Sequence, residues 1–126
     1  MLTAAVVVTG CQAVNDNGLS TAVRRERVAN AGPAGNYAAD GVYTAFRNQG
    51  FFIVRQGERL FALSAICTHK RCKLNTELDR SFYCPCHGST FDPSGHVTVG
   101  PARRDLPVLA TSVNENGQLL VMVSIL

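Results

Sequence analysis

The sequence predicts an all-β fold, and three observations predict it. Short β-prone runs recur at a regular beat, turn-forming clusters separate them, and the last run keeps a two-residue apolar period. The beat is interrupted once, between Ser64 and Gly100, by two loops that hold most of the cysteine and histidine. At 126 residues, 46% hydrophobic and 17% charged, the chain makes one modest globular domain plus a short extension. A formal charge of +3 without a dense Lys/Arg run and without Trp gives nucleic-acid binding little support.

Taken in order, residues Met1 to Ala13 form a short apolar segment, too short for the roughly 20 residues a bilayer span needs. Its end, Val8-Thr9-Gly10-Cys11, resembles a bacterial lipobox, which would place a lipid on Cys11 and account for the odd fifth cysteine. No Lys or Arg precedes it, so the segment is a truncated signal or the tail of a longer one; the alternative is an ordinary first strand or frayed terminus with a buried thiol. From Asn15 to Asn36 the composition is polar, with Asn15-Asp16-Asn17-Gly18 and Ala31-Gly32-Pro33-Ala34-Gly35-Asn36 as breaker clusters, which reads as a linker or edge segment. Arg24-Arg25-Glu26-Arg27 lacks the apolar run that an export signal needs and reads as a solvated turn or helix face.

Strands are expected at Val42 to Phe46, Phe51 to Arg55 and Arg59 to Ser64, joined by Asn48-Gln49-Gly50 and Gln56-Gly57-Glu58. Past the two cysteine- and histidine-bearing loops they resume at Val97 to Val99, Val108 to Val113 and Leu119 to Ile125, the last two joined by Asn114-Glu115-Asn116-Gly117. Leu119, Val121, Val123 and Ile125 should share one face.

The chemistry sits in the interruption. Cys67-Thr68-His69-Lys70-Arg71-Cys72 and Cys84-Pro85-Cys86-His87-Gly88-Ser89-Thr90-Phe91 repeat one theme, a cysteine followed closely by a histidine. Each short spacing lets a loop present one thiolate and one imidazole to the same small site. Either all four cysteines hold one metal ion and the histidines have no role, or Cys67, His69, Cys84 and His87 bind and Cys72 and Cys86 remain free to pair. The second account uses every residue. Two thiolates with two imidazoles suit tetrahedral zinc, and also a two-iron cluster with both cysteines on one iron and both histidines on the other. His96, after Pro93-Ser94-Gly95, has no cysteine companion and reads as a surface histidine.

The pattern C-x-H…C-P-C-H-G-S resembles the Rieske iron–sulfur proteins, specifically the disulfide-containing type of cytochrome bc-type complexes and arsenite oxidase small subunits. Gly100-Pro101-Ala102 stands where that group carries a Gly-Pro loop over the cluster. The resemblance implies a Rieske fold over residues 36–126, with antiparallel sheets as a base domain and an inserted cluster-binding subdomain at about 65–101. Residues 1–35 are then the signal-like segment and a flexible linker. It further implies one [2Fe-2S] cluster on Cys67, His69, Cys84 and His87, and a disulfide between Cys72 and Cys86. Ser89 takes the position whose hydroxyl bonds a bridging sulfide, while Gly88 and Pro101 lie beside the cluster.

Two departures from the pattern matter. Phe91 stands where high-potential members carry a tyrosine that bonds the Cys67-type ligand, so one bond is lost. The expected potential lies below that of the highest members but inside the span of about −150 to +300 mV for mixed-ligand clusters. Lys70-Arg71 replaces an apolar residue and a glycine, which weakens the case for quinol docking and favours an acidic partner.

The implied function is one-electron transfer as the iron–sulfur subunit of a membrane-associated or periplasmic respiratory oxidoreductase, of quinol:cytochrome c type or similar. The chain would have no catalytic site of its own, and its partners would be redox proteins, a cytochrome or an oxidase subunit, with quinol as donor in the bc-type case. The disulfide suits the periplasm or outer face of the bacterial cytoplasmic membrane, with attachment through a lipid anchor or a partner complex. The alternatives are a soluble Rieske ferredoxin feeding an oxygenase, whose family usually lacks the two extra cysteines, and a zinc-stabilised binding module.

Overall fold

In the computed structural model, residues 25–77 and 81–125 are described. Among the described residues eleven strands follow in order: β1 Arg25–Pro33, β2 Gly41–Tyr43, β3 Phe51–Gln56, β4 Arg59–Ser64, β5 Asn75–Thr76, β6 Phe82–Tyr83, β7 Thr90–Phe91, β8 Val97–Val99, β9 Val108–Leu109, β10 Thr111–Val113 and β11 Gln118–Ile125. Two 3-10 turns, Ala34–Tyr37 and Arg47–Gln49, link the first three, and the described residues contain no α-helix. The strands make three antiparallel sheets, ordered β9-β4-β3-β2, β10-β11-β1 and β5-β6-β7-β8.

The apolar run Phe51-Phe52-Ile53-Val54 explains how the sheets are stacked. All four side chains are buried, and successive residues point to opposite faces. Phe51 and Ile53 join Ala29, Tyr37, Leu119, Val121 and Val123 in one core. Phe52 and Val54 join Phe61, Leu63, Leu74, Phe82 and Phe91 in a second, which also takes in Cys67 and Cys84. Strand β3 is therefore a wall shared between the base and the cysteine-bearing unit. Each large side chain buried there contributes about 1.5–3 kcal/mol. Phe52 stacks on Phe82 with ring centroids 4.9 Å apart, fastening the inserted unit to that wall.

The expected strands at Phe51, Arg59, Val97 and Leu119 are present, with Leu119, Val121 and Val123 buried together. Four expectations need correction. Of the two readings for this stretch, residues 25–35 are the edge segment and not a flexible linker: Arg25–Pro33 is the edge strand β1, paired along β11 from Arg25↔Ile125 to Asn30↔Leu120, and the boundary at 36 falls inside the folded unit. Its inward residues are Ala29 and Ala31, too small to leave a strong apolar signal. The described part of the Arg24–Arg27 run is likewise strand rather than turn or helix, with the Arg27 guanidinium donating to the Gln49 carbonyl at 2.7 Å.

Val42 to Phe46 ends as a strand at Tyr43, because Phe46 turns to stack on Phe51 at 5.0 Å. Val108 to Val113 is two strands, β9 on β4 and β10 on β11, so the chain changes sheets at Ala110. The short strands β5 to β7 within the interruption are too brief to show a period. The lipobox-like segment and Cys11 lie outside the described residues. No helix among the described residues is long and apolar enough to cross a membrane.

This framework positions the cysteine loops. Strand β4 runs through Ala65 into the first loop, which an Ile66↔Lys73 bridge closes. The second loop is the turn between β6 and β7, and Gly100-Pro101-Ala102 lies between β8 and β9.

Candidate metal centre

The two loops have the same backbone wiring. Cys67 N–H donates to the Cys72 carbonyl at 2.7 Å and Cys84 N–H to the Ser89 carbonyl at 2.8 Å. Arg71 N–H then donates back to Cys67, and Gly88 N–H back to Cys84, each at 2.9 Å. This wiring puts the fourth residue after each cysteine in the left-handed region, Arg71 at φ 66 and Gly88 at φ 85. Gly88 adopts that conformation freely. Arg71 is the one non-glycine with positive φ among the described residues, at a conformational cost of about 1–2 kcal/mol.

The loops bring together what the sequence separates. Cys67 and Cys84 are free thiols, 1% and 0% exposed, and the rings of His69 and His87 meet edge to face with centroids 4.9 Å apart. His69 Nδ1 is buried with no hydrogen-bond partner. An orphaned buried nitrogen costs about 1–3 kcal/mol unless something else satisfies it. Removal of the ring from water, then the charge of His87 and that of Lys70, hold the His69 imidazole below its ordinary pKa. That direction favours the neutral imidazole, the form that binds metal. The His69 amide also lies 3.5 Å from the Cys67 sulfur, as a donor to it. Two thiols, two imidazoles and an unsatisfied Nδ1 turned inward fit a mixed-ligand two-iron cluster.

Cys72 and Cys86 are bonded to each other, with S–S 2.04 Å and Cα–Cα 6.5 Å, and so clasp loop to loop. Their sulfurs lie within 4.8 Å of the Cys84 sulfur. Those three do not form a separate metal site, since bonded sulfurs offer no thiolate; the disulfide instead packs against the Cys84 thiol.

Ser89 is fully buried, and its Oγ accepts the Ala102 N–H at 2.9 Å, tying the Gly-Pro segment to the second loop. A hydroxyl has one proton to donate as well, and no acceptor for it is found among the described residues. Phe91 is a fully buried core aromatic. Pro101 is exposed, follows Gly100 through a cis peptide, and lines a cleft with His69. Lys70 and Arg71 are exposed. His96 is an exposed histidine whose Nδ1 meets Asp105 at 2.9 Å. Sequence reasoning missed two features. The Thr68 hydroxyl donates to the Arg104 carbonyl at 2.7 Å, for which no local signal exists. Arg103 and Arg104 stand beside His69, as the position of this basic pair directly after Pro101-Ala102 could have suggested.

Comparison with known proteins agrees with this geometry. The family model for the Rieske [2Fe-2S] domain matches residues 29–110. The cytochrome b6-f complex iron-sulfur subunit of Bigelowiella natans is 45% identical over 62 residues, 48% of this chain and 24% of that protein. A putative respiratory nitrate reductase subunit Rieske of Haloferax mediterranei is 41% identical over 61 residues, 47% of this chain and 28% of that protein. The chain thus spans well under two thirds of these relatives. The crystal structure of the cyanobacterial plasma membrane Rieske protein PetC3 from Synechocystis PCC 6803 superposes with a TM-score of 0.56 at 36% identity, covering 74% of this chain and 97% of that one. The chain belongs to the Rieske [2Fe-2S] domain family, with one such cluster as its cofactor.

Proposed function

We propose that Cys67, His69, Cys84 and His87 hold the [2Fe-2S] cluster and that the chain carries single electrons as the iron–sulfur subunit of a membrane-associated oxidoreductase. The observation that carries this reading is the buried, unpartnered Nδ1 of His69 beside two buried free thiols. When bound, such a cluster supplies a one-electron couple whose potential is raised because two neutral imidazoles replace two thiolates, moving its oxidised charge from about −2 to about zero.

The protein's own groups set the conditions for that couple. With Nδ1 turned inward, the outer Nε2 of His69 is the atom that holds or releases a proton. The His69 amide on the Cys67 sulfur, and the spare Ser89 proton, stabilise added negative charge. Phe91, Leu74 and the Cys72–Cys86 clasp keep water from the buried thiols.

The relatives' names favour an assembly with a cytochrome, and the disulfide favours an oxidising compartment such as the periplasm or outer membrane face. Attachment would come from the partner complex or from a lipid on Cys11. Lys70 and Arg71, exposed next to His69, favour a protein partner over quinol. The test is voltammetry and EPR of the iron-loaded chain across pH. A single one-electron wave should appear inside about −150 to +300 mV. Its potential should fall with rising pH, because losing a proton from the outer imidazole nitrogens stabilises the oxidised state. A negative, pH-independent wave near neutrality would support the oxygenase ferredoxin instead; a colourless, zinc-loaded, redox-silent protein would overturn electron transfer altogether.

A further inference from the structure

The surface beside His69 is hollowed and basic. Two open clefts flank the ring and share Thr68, His69 and Arg104. One extends to Arg71, and the other is bounded by Pro101 and Arg103. A third groove continues from Arg71 past Lys73 to Arg27. These three hollows are lined by five cations and by no Asp or Glu, and His87 lines none of them. Asp105, the carboxylate next to Arg104, is engaged by the His96 ring and the Val97 N–H, both at 2.9 Å.

The backbone adds a second, independent sign. Arg71 occupies the left-handed position that a glycine fills in the twin loop, and it does so at a conformational cost. Such outliers are retained where the side chain has a use. Thr68 fixes the cations' geometry by donating to the Arg104 carbonyl, so the first loop and the Gly-Pro segment present their charges as one surface.

We propose that this hollowed, basic face around His69 is the docking site for an acidic redox protein, whose carboxylates seat against Arg71, Arg103 and Arg104 and whose electron-accepting group comes against the His69 edge. The proposal rests on the electron-transfer reading and adds the partner's chemistry and the side on which it docks. In the step, the reduced protein loses one electron and the acceptor gains one; no bond forms or breaks. Concave hollows at the electron port suit protruding carboxylates of a folded partner better than a flat anionic bilayer.

The test is stopped-flow oxidation of the reduced, cluster-loaded protein by ferricyanide, an anion, and by tris(phenanthroline)cobalt(III), a cation, as ionic strength is varied. An acidic cytochrome c serves as the protein acceptor. Rates with ferricyanide and the acidic cytochrome should fall as salt rises, and the rate with the cation should increase. The variant Arg71→Gly, Arg103→Gln, Arg104→Gln, which keeps the loop conformation, should slow both anionic acceptors about tenfold at low salt and flatten their salt dependence. Arg104→Gln alone should act more strongly than Arg59→Gln, which removes the same charge from outside the three hollows.

Salt-independent rates, or equal effects of Arg104→Gln and Arg59→Gln, would overturn the docking face while leaving electron transfer intact. Wild-type binding to phosphatidylglycerol vesicles that the triple variant loses, with acceptor rates unchanged, would overturn it in favour of a lipid surface. No oxidation by any acceptor would overturn the electron-transfer reading itself.

Discussion

Replacing Cys72 and Cys86 together by serine opens the clasp between the two loops. The bridged residues are 14 apart in sequence, and closing a loop of about 15 residues restricts the unfolded chain by about 3 kcal/mol. Cys72 also packs against the core that contains Cys67 and Cys84, so a serine there weakens packing as well. A domain of this size shifts by roughly 4–8 °C per kcal/mol, so the expected fall in Tm is about 12–24 °C. Thermal unfolding of the metal-free variant measures it, with native protein held in dithiothreitol as a second route to the open state. The bonded sulfurs lie within 4.8 Å of the Cys84 sulfur, so opening the clasp admits water there and should lower the potential of the loaded protein. A metal-free variant that unfolds within about 1 kcal/mol of the wild type, together with an unchanged potential when loaded, would refute this reasoning.

Three further outcomes are expected. Ser89→Ala leaves the buried Ala102 N–H without its acceptor and should cost about 1–3 kcal/mol in urea unfolding; it should also lower the potential, and a neutral result would mean that water replaces the hydroxyl. Gly95→Ala places a methyl 3.1 Å from Leu63 Cδ2 at φ +93, so the left-handed cost of about 1–2 kcal/mol is joined by crowding of the core. A variant as stable as the parent would show that Leu63 yields freely. Asp105 raises the His96 pKa, and that stabilisation is present below the ordinary histidine value and lost as pH rises through the folded one. The Asp105 pKa is lowered by the His96 hydrogen bond, so its contribution is present above the ordinary carboxylate value and lost as pH falls through the folded one. His96→Ala should therefore lower Tm at mildly acid pH, between those two limits, and have little effect at alkaline pH. An equal loss at both would assign the effect to packing rather than charge.

Much of the fold was legible because strand alternation is local. Phe51 to Val54 and Leu119 to Val123 declare their faces within a few residues, and Gln56-Gly57-Glu58 declares its turn. Strand β1 was not legible, because Ala29 and Ala31 bury little surface and its pairing is with the other end of the chain. The strands inside the insertion were missed because two residues show no period.

By itself the sequence determined the candidate donors, their placement in two twin loops, and the family those loops belong to, since each Cys–His pair is only a few residues long. Tertiary structure alone decided how those pieces are used. It bonded Cys72 to Cys86, turned His69 Nδ1 inward and left it unsatisfied, and set Ala102 N–H on Ser89. It also drew Arg104 to Thr68 across 36 residues, so that dispersed cations became one face. The reason is physical: spacing along a chain limits which atoms can meet locally, whereas contacts between distant segments are chosen by how the sheets pack.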